Sequence, residues 1–130
     1  MDGILTLEGF DTSLAEGVML MTPFNASSSD PKTQAFVATY QAKYGELPNQ
    51  FAADGYDCVY AIYEAIKSSN GAIKSSMSAK DICEKLIAIF TGDFSFNGLT
   101  GNNITWDASG AVSKTPIVVV IQNGIYVNLN

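Results

Sequence analysis

A long helical segment in the middle of the chain constrains the fold more than any other feature of the sequence. Pro48 lies just before this segment and Asn70-Gly71 closes it, so the predicted helix covers about residues 51–68. Gly55 weakens a helix by about 1 kcal/mol relative to Ala, and we expect close backbone packing to explain it. Apolar side chains recur at helical spacing and predict a buried stripe: Val59, Ile62, Tyr63 and Ile66.

Two further helices are predicted from their terminal residues. Asp30 is a good N-cap, Pro31 suits the first helical position and Gly45 supplies a left-handed stop. Ser78 and Asp81 form a capping pattern for a third helix that ends before Gly92. Its apolar face contains Ile82, Leu86, Ile89 and Phe90. Large rings at helical spacing usually pack against a sheet, so a set of seven aromatic residues is expected mostly in the core: Phe36, Tyr40, Tyr44, Tyr56, Tyr60, Tyr63 and Trp106.

Strand signals lie near both ends of the chain. Residues 116–122 and 125–129 are rich in β-branched residues, and Asn123-Gly124 between them is the signature of a type I′ hairpin turn. Residues 18–21 predict a short buried strand after a small capping pattern of Ser13 and Glu16. A type I turn is expected at Asp107-Ala-Ser-Gly110. The fold class is therefore α/β, with three main helices plus short strands and a C-terminal β-hairpin.

Composition excludes several classes of function. A chain of 130 residues with 47% hydrophobic residues can pack one domain of common size. All cationic residues are lysines, and the absence of His excludes His-dependent triads and the common His-containing zinc sites. A formal net charge of -6 without basic clusters disfavours nucleic acid and anionic lipid as partners.

The residues alone do not decide in which cellular compartment the protein is found. Residues 1–20 lack the basic start and unbroken apolar run of a secretory signal, so the signal of an exported protein would lie upstream. No apolar run approaches the ~18 residues that span a bilayer. Cys58 and Cys83 show no CxxC or metal spacing, which predicts buried free thiols, with a disulfide between two helices as the alternative.

The carboxylates of the central helix are a possible site. Asp54 and Asp57 are close enough on a helix to meet, and Glu64 is not. A solvated first turn, stabilised by the helix dipole, accounts for the first two residues. No carboxylate run has the spacing of a metal loop, and no Ser or Thr has an activating base in a catalytic context. The residues therefore predict no enzyme activity, no metal and no cofactor.

Several segments occur in a characteristic order and spacing: Glu16-Gly17-Val18, Thr22-Pro23-Phe24, residues 44–48 and 51–66, and the stretch from Thr100-Gly101 through Ile104 and Asp107 to Gly110. Together they resemble the type I periplasmic binding proteins of branched-chain amino-acid ABC transporters. It implies the C-terminal part of a two-lobe fold, with residues 1–130 a single fragment. Residues of about 1–25 and 116–130 would be second-lobe segments, and about 31–110 would belong to the first lobe.

The resemblance also implies where a ligand would be held. Phe51, just before the family's lobe-crossing helix, would form a wall around the ligand's aliphatic side chain, with simple core filling as the alternative. The start of that helix would place Asp54 at the cleft. Asp2, in an Asp2-Gly3 loop, would pair with the ligand's ammonium; its distance to Glu16-Gly17 is slightly short, and the favoured alternative is that the true carboxylate precedes Met1.

The implied function is capture of a small, aliphatic or branched-chain amino acid outside the cytoplasmic membrane and delivery to an ABC permease. The location would be the periplasm or a cell-surface lipoprotein. We expect that this chain alone, without the family's N-terminal ligand donors, does not bind and that it self-associates. The alternative is a sensory or protein-interaction module with a related lobe and no transport role.

Overall fold

The helices begin and end at the residues that their terminal signals predict. The structure, a computed structural model, describes residues 4–129. Helix α1 (Pro31–Tyr44) begins where Thr33 N donates to the Asp30 carboxylate at 2.8 Å, and it ends at Gly45, whose φ is 78°. Helix α3 (Ala79–Phe90) begins where Asp81 N donates to Ser78 Oγ at 3.1 Å. Both capping predictions are confirmed.

Helix α2 (Gln50–Ser68) is the longest element of the described chain. Asn70 and Gly71 follow it with positive φ angles of 49° and 84°, so the predicted stop is confirmed. Contacts divide the chain into two compact units, one built from Met1–Asp54 with Thr115–Asn130 and one from Gly55–Lys114. The assignment of segments to two lobes, with residues 31–110 in one of them, is a different division and stays a prediction.

The first unit contains a three-stranded antiparallel sheet of order β1-β2-β3. Its strands are β1 (Met19–Thr22), β2 (Ile117–Gln122) and β3 (Ile125–Asn128). Asn123 and Gly124 join β2 to β3 with φ angles of 53° and 74°, which confirms the type I′ hairpin. Two short 3₁₀ turns precede β1, at Ile4–Thr6 and Thr12–Ala15.

The two faces of this sheet differ in burial. One face is buried and includes Thr22, Val119 and Ile121. The register pairs Met21 with Val118 and Gln122 with Ile125, so these residues share the opposite face. Val120, in the middle of that face, is buried and its partner Val127 is half-buried. The remaining apolar residues of this face are exposed: Met19, Met21, Val118, Ile125 and Leu129. The prediction that residues 18–21 form a buried strand is therefore wrong for one face.

The second unit has an aromatic core beside α2. Ala61, Phe96 and Ile104 are buried, and Phe90, Phe94 and Trp106 pack against them. The rings of Phe90 and Trp106 meet edge to face with centroids 4.6 Å apart. Two isolated antiparallel bridges, Phe96 to Ile104 and Trp106 to Val112, pair backbone segments of this unit. The Asp107 to Gly110 turn closes with a 2.9 Å hydrogen bond from Gly110 N to Asp107 O.

The buried stripe of α2 is not the predicted one. Val59, Ile62, Tyr63 and Ile66 are exposed, as are Tyr44 and Tyr60, which were expected in the core. The buried positions instead recur every four residues: Ala53, Asp57, Ala61 and Ala65. Small side chains on this side allow other chain segments to approach the helix closely. The apolar stripe is therefore left on the surface of the described chain.

Three local predictions are also corrected. Gly55 has no atom within 4 Å of an added Cβ, so close packing does not explain it. Asp11, rather than Ser13, caps the Thr12–Ala15 turn, and the Glu16 carboxylate accepts a hydrogen bond from Asn123 N instead of closing a capping box. Cys58 and Cys83 are free, as predicted, but both are exposed. Among residues 4–129, no helix is long and apolar enough to cross a membrane.

Candidate ligand site at the start of helix α2

The first turn of α2 presents a ring and a carboxylate on one side of the helix. Asn49 caps this end, since its Oδ1 accepts a hydrogen bond from Ala52 N at 3.1 Å. Phe51 is 66% exposed, so the alternative in which it fills the core is wrong. Asp54 is half-buried and lies three residues further on, a spacing that brings the two side chains together. Their role in ligand binding stays a prediction.

A small cavity lies beside the same turn. Its volume is about 80 Å³, and its apolar wall is formed by Leu20, Met21, Phe24 and Val119. Thr22, Gln50 and Tyr126 supply the polar part of the lining, and the Tyr126 hydroxyl oxygen is buried. Thr22 Oγ1 donates to Gln50 Oε1 at 3.2 Å. Sequence reasoning missed this cavity because its walls come from β1, α2, β2 and β3.

Asp2 and Asp57 are the remaining acidic residues to be placed relative to the site. Asp2 lies outside the described residues, so its predicted role stays a prediction. Asp57, predicted to be solvated, is only 5% exposed. Its Oδ1 accepts from Leu99 N at 2.7 Å, and its Oδ2 accepts from the backbone N and the hydroxyl of Thr100 at 2.8 and 2.7 Å. Asp57 therefore connects α2 to the loop at Gly98–Thr100 and has little capacity left for a ligand.

The carboxylates with perturbed pKa values serve caps and turns rather than a site. Hydrogen bonds from Ser13 lower the pKa of Asp11, those from Thr33 lower the pKa of Asp30, and those from Ser109 and Ala111 lower the pKa of Asp107. All three residues accept bonds from neighbours within four positions in sequence. In the part of the chain that the structure describes, no three His, Cys, Asp or Glu residues could hold a metal ion.

Comparisons with known proteins agree with the sequence resemblance. The chain matches the family model described as "Periplasmic binding protein" over residues 3–124. No curated protein gives a significant match. A leucine binding protein from Thermotoga maritima is 26% identical, with a TM-score of 0.62, over 89% of this chain and 31% of that one.

Two further solved structures are similar. One is named as a branched-chain amino acid ABC transporter from Rhodospirillum rubrum, with 28% identity and a TM-score of 0.66 over 88% of this chain and 31% of that one. The other is an ABC transporter solute binding protein from R. palustris in complex with benzoate, with 20% identity and a TM-score of 0.72 over 99% of this chain and 32% of that one. The chain thus spans about a third of the length of the solved structures that it matches.

Proposed function

This chain belongs to the periplasmic binding protein family, and from that premise we propose that it contributes to an extracytoplasmic protein that binds a small aliphatic or branched-chain amino acid for an ABC permease. Membership confirms the predicted family and the α/β fold class, as part of a type I periplasmic-binding fold. Proteins of this family bind solutes and carry out no reaction, so the chain is not an enzyme.

The family match over residues 3–124 carries the proposal. The names of two similar structures, which refer to leucine and to branched-chain amino acids, support the ligand class. The first turn of α2 supports it chemically, because the exposed Phe51 ring suits an aliphatic side chain and the nearby Asp54 carboxylate suits an ammonium group. Asp2 is proposed as a further partner for the ammonium.

The location and the lobes are part of the same proposal. The family implies a location outside the cytoplasmic membrane, and we propose the periplasm or, for a lipoprotein, the cell surface. Residues 1–25 and 116–130 would belong to the second lobe and residues 31–110 to the first. The resemblance implies that the donors for the ligand's carboxylate lie in the N-terminal part of the fold, and the chain spans about a third of the length of the similar solved structures. We therefore expect the isolated 130-residue chain to show no measurable binding.

The test is isothermal titration calorimetry on the full-length protein that contains this chain. Leucine, isoleucine, valine and alanine would be titrated in turn, and benzoate serves as a non-amino-acid comparison because one similar structure contains it. Saturable binding of an aliphatic amino acid is the expected result. Binding of benzoate alone would overturn the ligand class, and binding of no small carboxylate or amide would overturn the function.

The isolated chain gives a separate test. Calorimetry is the measurement, because Phe51 and Asp54 lie in the first unit, whereas Trp106 lies in the second and its fluorescence would not report on them. We expect no heat of binding on adding leucine. Micromolar affinity would contradict the proposal that the remaining parts of the fold are needed.

Self-association of the isolated chain is the last part of the proposal. The exposed side chains of the α2 stripe are apolar and contiguous, and most of those on the sheet face that contains Met19, Met21, Val118 and Ile125 are apolar as well. Such surfaces tend to recruit a partner. Light scattering that found a monomer at all concentrations would remove this part without affecting the ligand proposal.

A further inference from the structure

A hydrogen bond between side chains joins the end of β1 to the first residue of α2. Thr22 Oγ1 and Gln50 Oε1 lie 3.2 Å apart, although 28 positions separate the two residues in sequence. Thr22 is buried, with 7% of its surface exposed. Phe51 and Asp54 follow Gln50 within about one helical turn. Whatever fixes Gln50 therefore fixes the turn that carries both candidate ligand residues.

The Thr22 hydroxyl connects three parts of the first unit. It accepts a hydrogen bond from Phe24 N at 3.3 Å and donates to Phe24 O at 2.9 Å. A hydroxyl has one proton, so this proton is shared between Phe24 O and Gln50 Oε1. If the Gln50 amide turns over, its NH₂ group donates to Oγ1 instead, and the link remains. The hydroxyl oxygen Oγ1 of Thr22 is the atom on which the link to Gln50 depends in both arrangements.

The cavity beside this bond increases its importance. Leu20, Val119 and Tyr126 are among the residues that line the cavity of about 80 Å³. Side chains that face a cavity lose dispersion contacts on that side. Gln50 also lines this cavity, so its side chain lacks packing contacts on that side, and the bond from Thr22 contributes more to holding it. The Asn49 cap acts on the same turn.

We infer that Thr22 and Gln50 are positioning residues, whose hydrogen bond holds the first turn of α2 so that Phe51 and Asp54 keep one orientation. The consequence for ligand affinity rests on the proposed function. The effect on the turn does not rest on it, because it can be measured in the chain without a ligand.

The first test is native-state hydrogen exchange on Thr22→Val, with Thr22→Ser as the matched control that keeps the hydroxyl. Loss of one net hydrogen bond predicts about fivefold faster exchange of the Ala52, Ala53 and Asp54 amides. The amides of Ala61 and Ala65, further along α2, should keep their rates. Gln50→Met removes the other partner and should act like Thr22→Val, which keeps the test decisive if the valine variant does not fold.

Three outcomes of the exchange experiment would overturn the inference. The first is unchanged exchange at Ala52, Ala53 and Asp54 in both variants. The second is an equal increase along the whole of α2, because that result would mean general destabilisation. The third is a Thr22→Ser variant that exchanges as fast as Thr22→Val.

The second test is calorimetry on the full-length protein. Thr22→Val should weaken amino-acid binding about fivefold, in step with the exchange rates, and Thr22→Ser should bind like the wild type. Equal affinity of the wild type and Thr22→Val would overturn the inference alone. If the wild type binds no small carboxylate or amide, the proposed function is overturned, and the exchange data then decide the inference by themselves.

Discussion

At the scale of single residues, Asp57 shows how a buried charge is accommodated in this chain. Its carboxylate receives three hydrogen bonds from Leu99 and Thr100, all between 2.7 and 2.8 Å. Bonds from neutral donors to a charged acceptor are stronger than neutral ones, and they offset the cost of removing the charge from water. Gly98 packs so closely that an added Cβ would overlap the carboxylate. The loop at Gly98–Thr100 is therefore shaped around this one side chain.

Replacing the charge at this position should destabilise the second unit. Asp57→Asn keeps the size of the side chain but turns an NH₂ group toward one of the donors, so one or two hydrogen bonds are lost and a donor faces a donor. We expect the free energy of unfolding to fall by about 2–4 kcal/mol. Urea denaturation followed by Trp106 fluorescence would measure it, since Trp106 lies in the same unit.

Glu84→Gln is the control for Asp57→Asn. Glu84 makes the same change from carboxylate to amide at an exposed position of α3, where a substitution typically changes stability by less than about 0.5 kcal/mol. Equal losses in the two variants would contradict the role given to the loop contacts of Asp57.

The Asp30 carboxylate, which caps α1, should make the stability of the fold depend on pH in acid. Hydrogen bonds from Thr33 hold the pKa of Asp30 below its ordinary value of 3.8. A group with a lowered pKa in the folded state stabilises the fold above its unfolded pKa, and this contribution is lost as the pH falls through the folded pKa. Stability should therefore decrease as the pH falls below about 4.

Asp30→Asn separates this effect from the other carboxylates. Asn is about as good an N-cap as Asp and does not titrate, so the variant should have near wild-type stability at pH 7. Urea midpoints measured between pH 5 and pH 3 should fall less steeply for the variant. The same pH dependence in both proteins would show that the α1 cap does not contribute to acid denaturation.

At the scale of elements, methyl groups added on the open side and on the packed side of α2 should have opposite effects on stability. Gly55 meets open space, and Ala favours a helix over Gly by up to about 1 kcal/mol. Gly55→Ala should therefore raise the free energy of unfolding by about 0.5–1 kcal/mol. Gly98→Ala should lower it, because the new Cβ would displace the Asp57 carboxylate. Urea denaturation of the two variants tests both signs, and destabilisation by Gly55→Ala would contradict the open surroundings of Gly55.

Sequence predicted the elements well where their signals are local. Asp30 and Gly45 bound α1, Ser78 begins α3, and Asn123-Gly124 forms the hairpin turn, because each signal acts on backbone groups within a few residues. Hydrogen bonds between segments that are distant in sequence were not predicted. Asp57 is bound by residues 42 and 43 positions away and Thr22 by one 28 positions away, and no local pattern contains those partners.

The face of α2 that is buried shows the same limit. Val59, Ile62, Tyr63 and Ile66 form the more hydrophobic stripe, so periodicity favoured them over Ala53, Ala61 and Ala65. Close approach of other segments decided the outcome, and small residues permit it. The position of Asp57 on the alanine stripe, at i+4 from Ala53, was the one signal that could have indicated its burial. The candidate site followed only from the resemblance, since Phe51 and Asp54 have no distinctive local pattern.

At the scale of the whole molecule, the exposed stripe of α2 should control self-association. Ile62 is 45% exposed within a row of apolar neighbours, whereas Ile87 of α3 is 57% exposed. Only Ile62 belongs to the contiguous apolar stripe of α2 to which we attribute self-association. Ile62→Lys should therefore reduce the apparent mass in concentrated solution toward that of a monomer, and Ile87→Lys should leave it close to the wild-type value.

Both substitutions change the formal net charge of -6 by the same amount, so a difference between them cannot arise from overall repulsion. Multi-angle light scattering across a range of concentrations measures the mass, and circular dichroism shows whether each variant keeps its helices. Equal effects of the two substitutions would mean that association does not use the α2 stripe. A shift to monomer with Ile62→Lys alone would identify that stripe as the surface through which the isolated chain finds its partner.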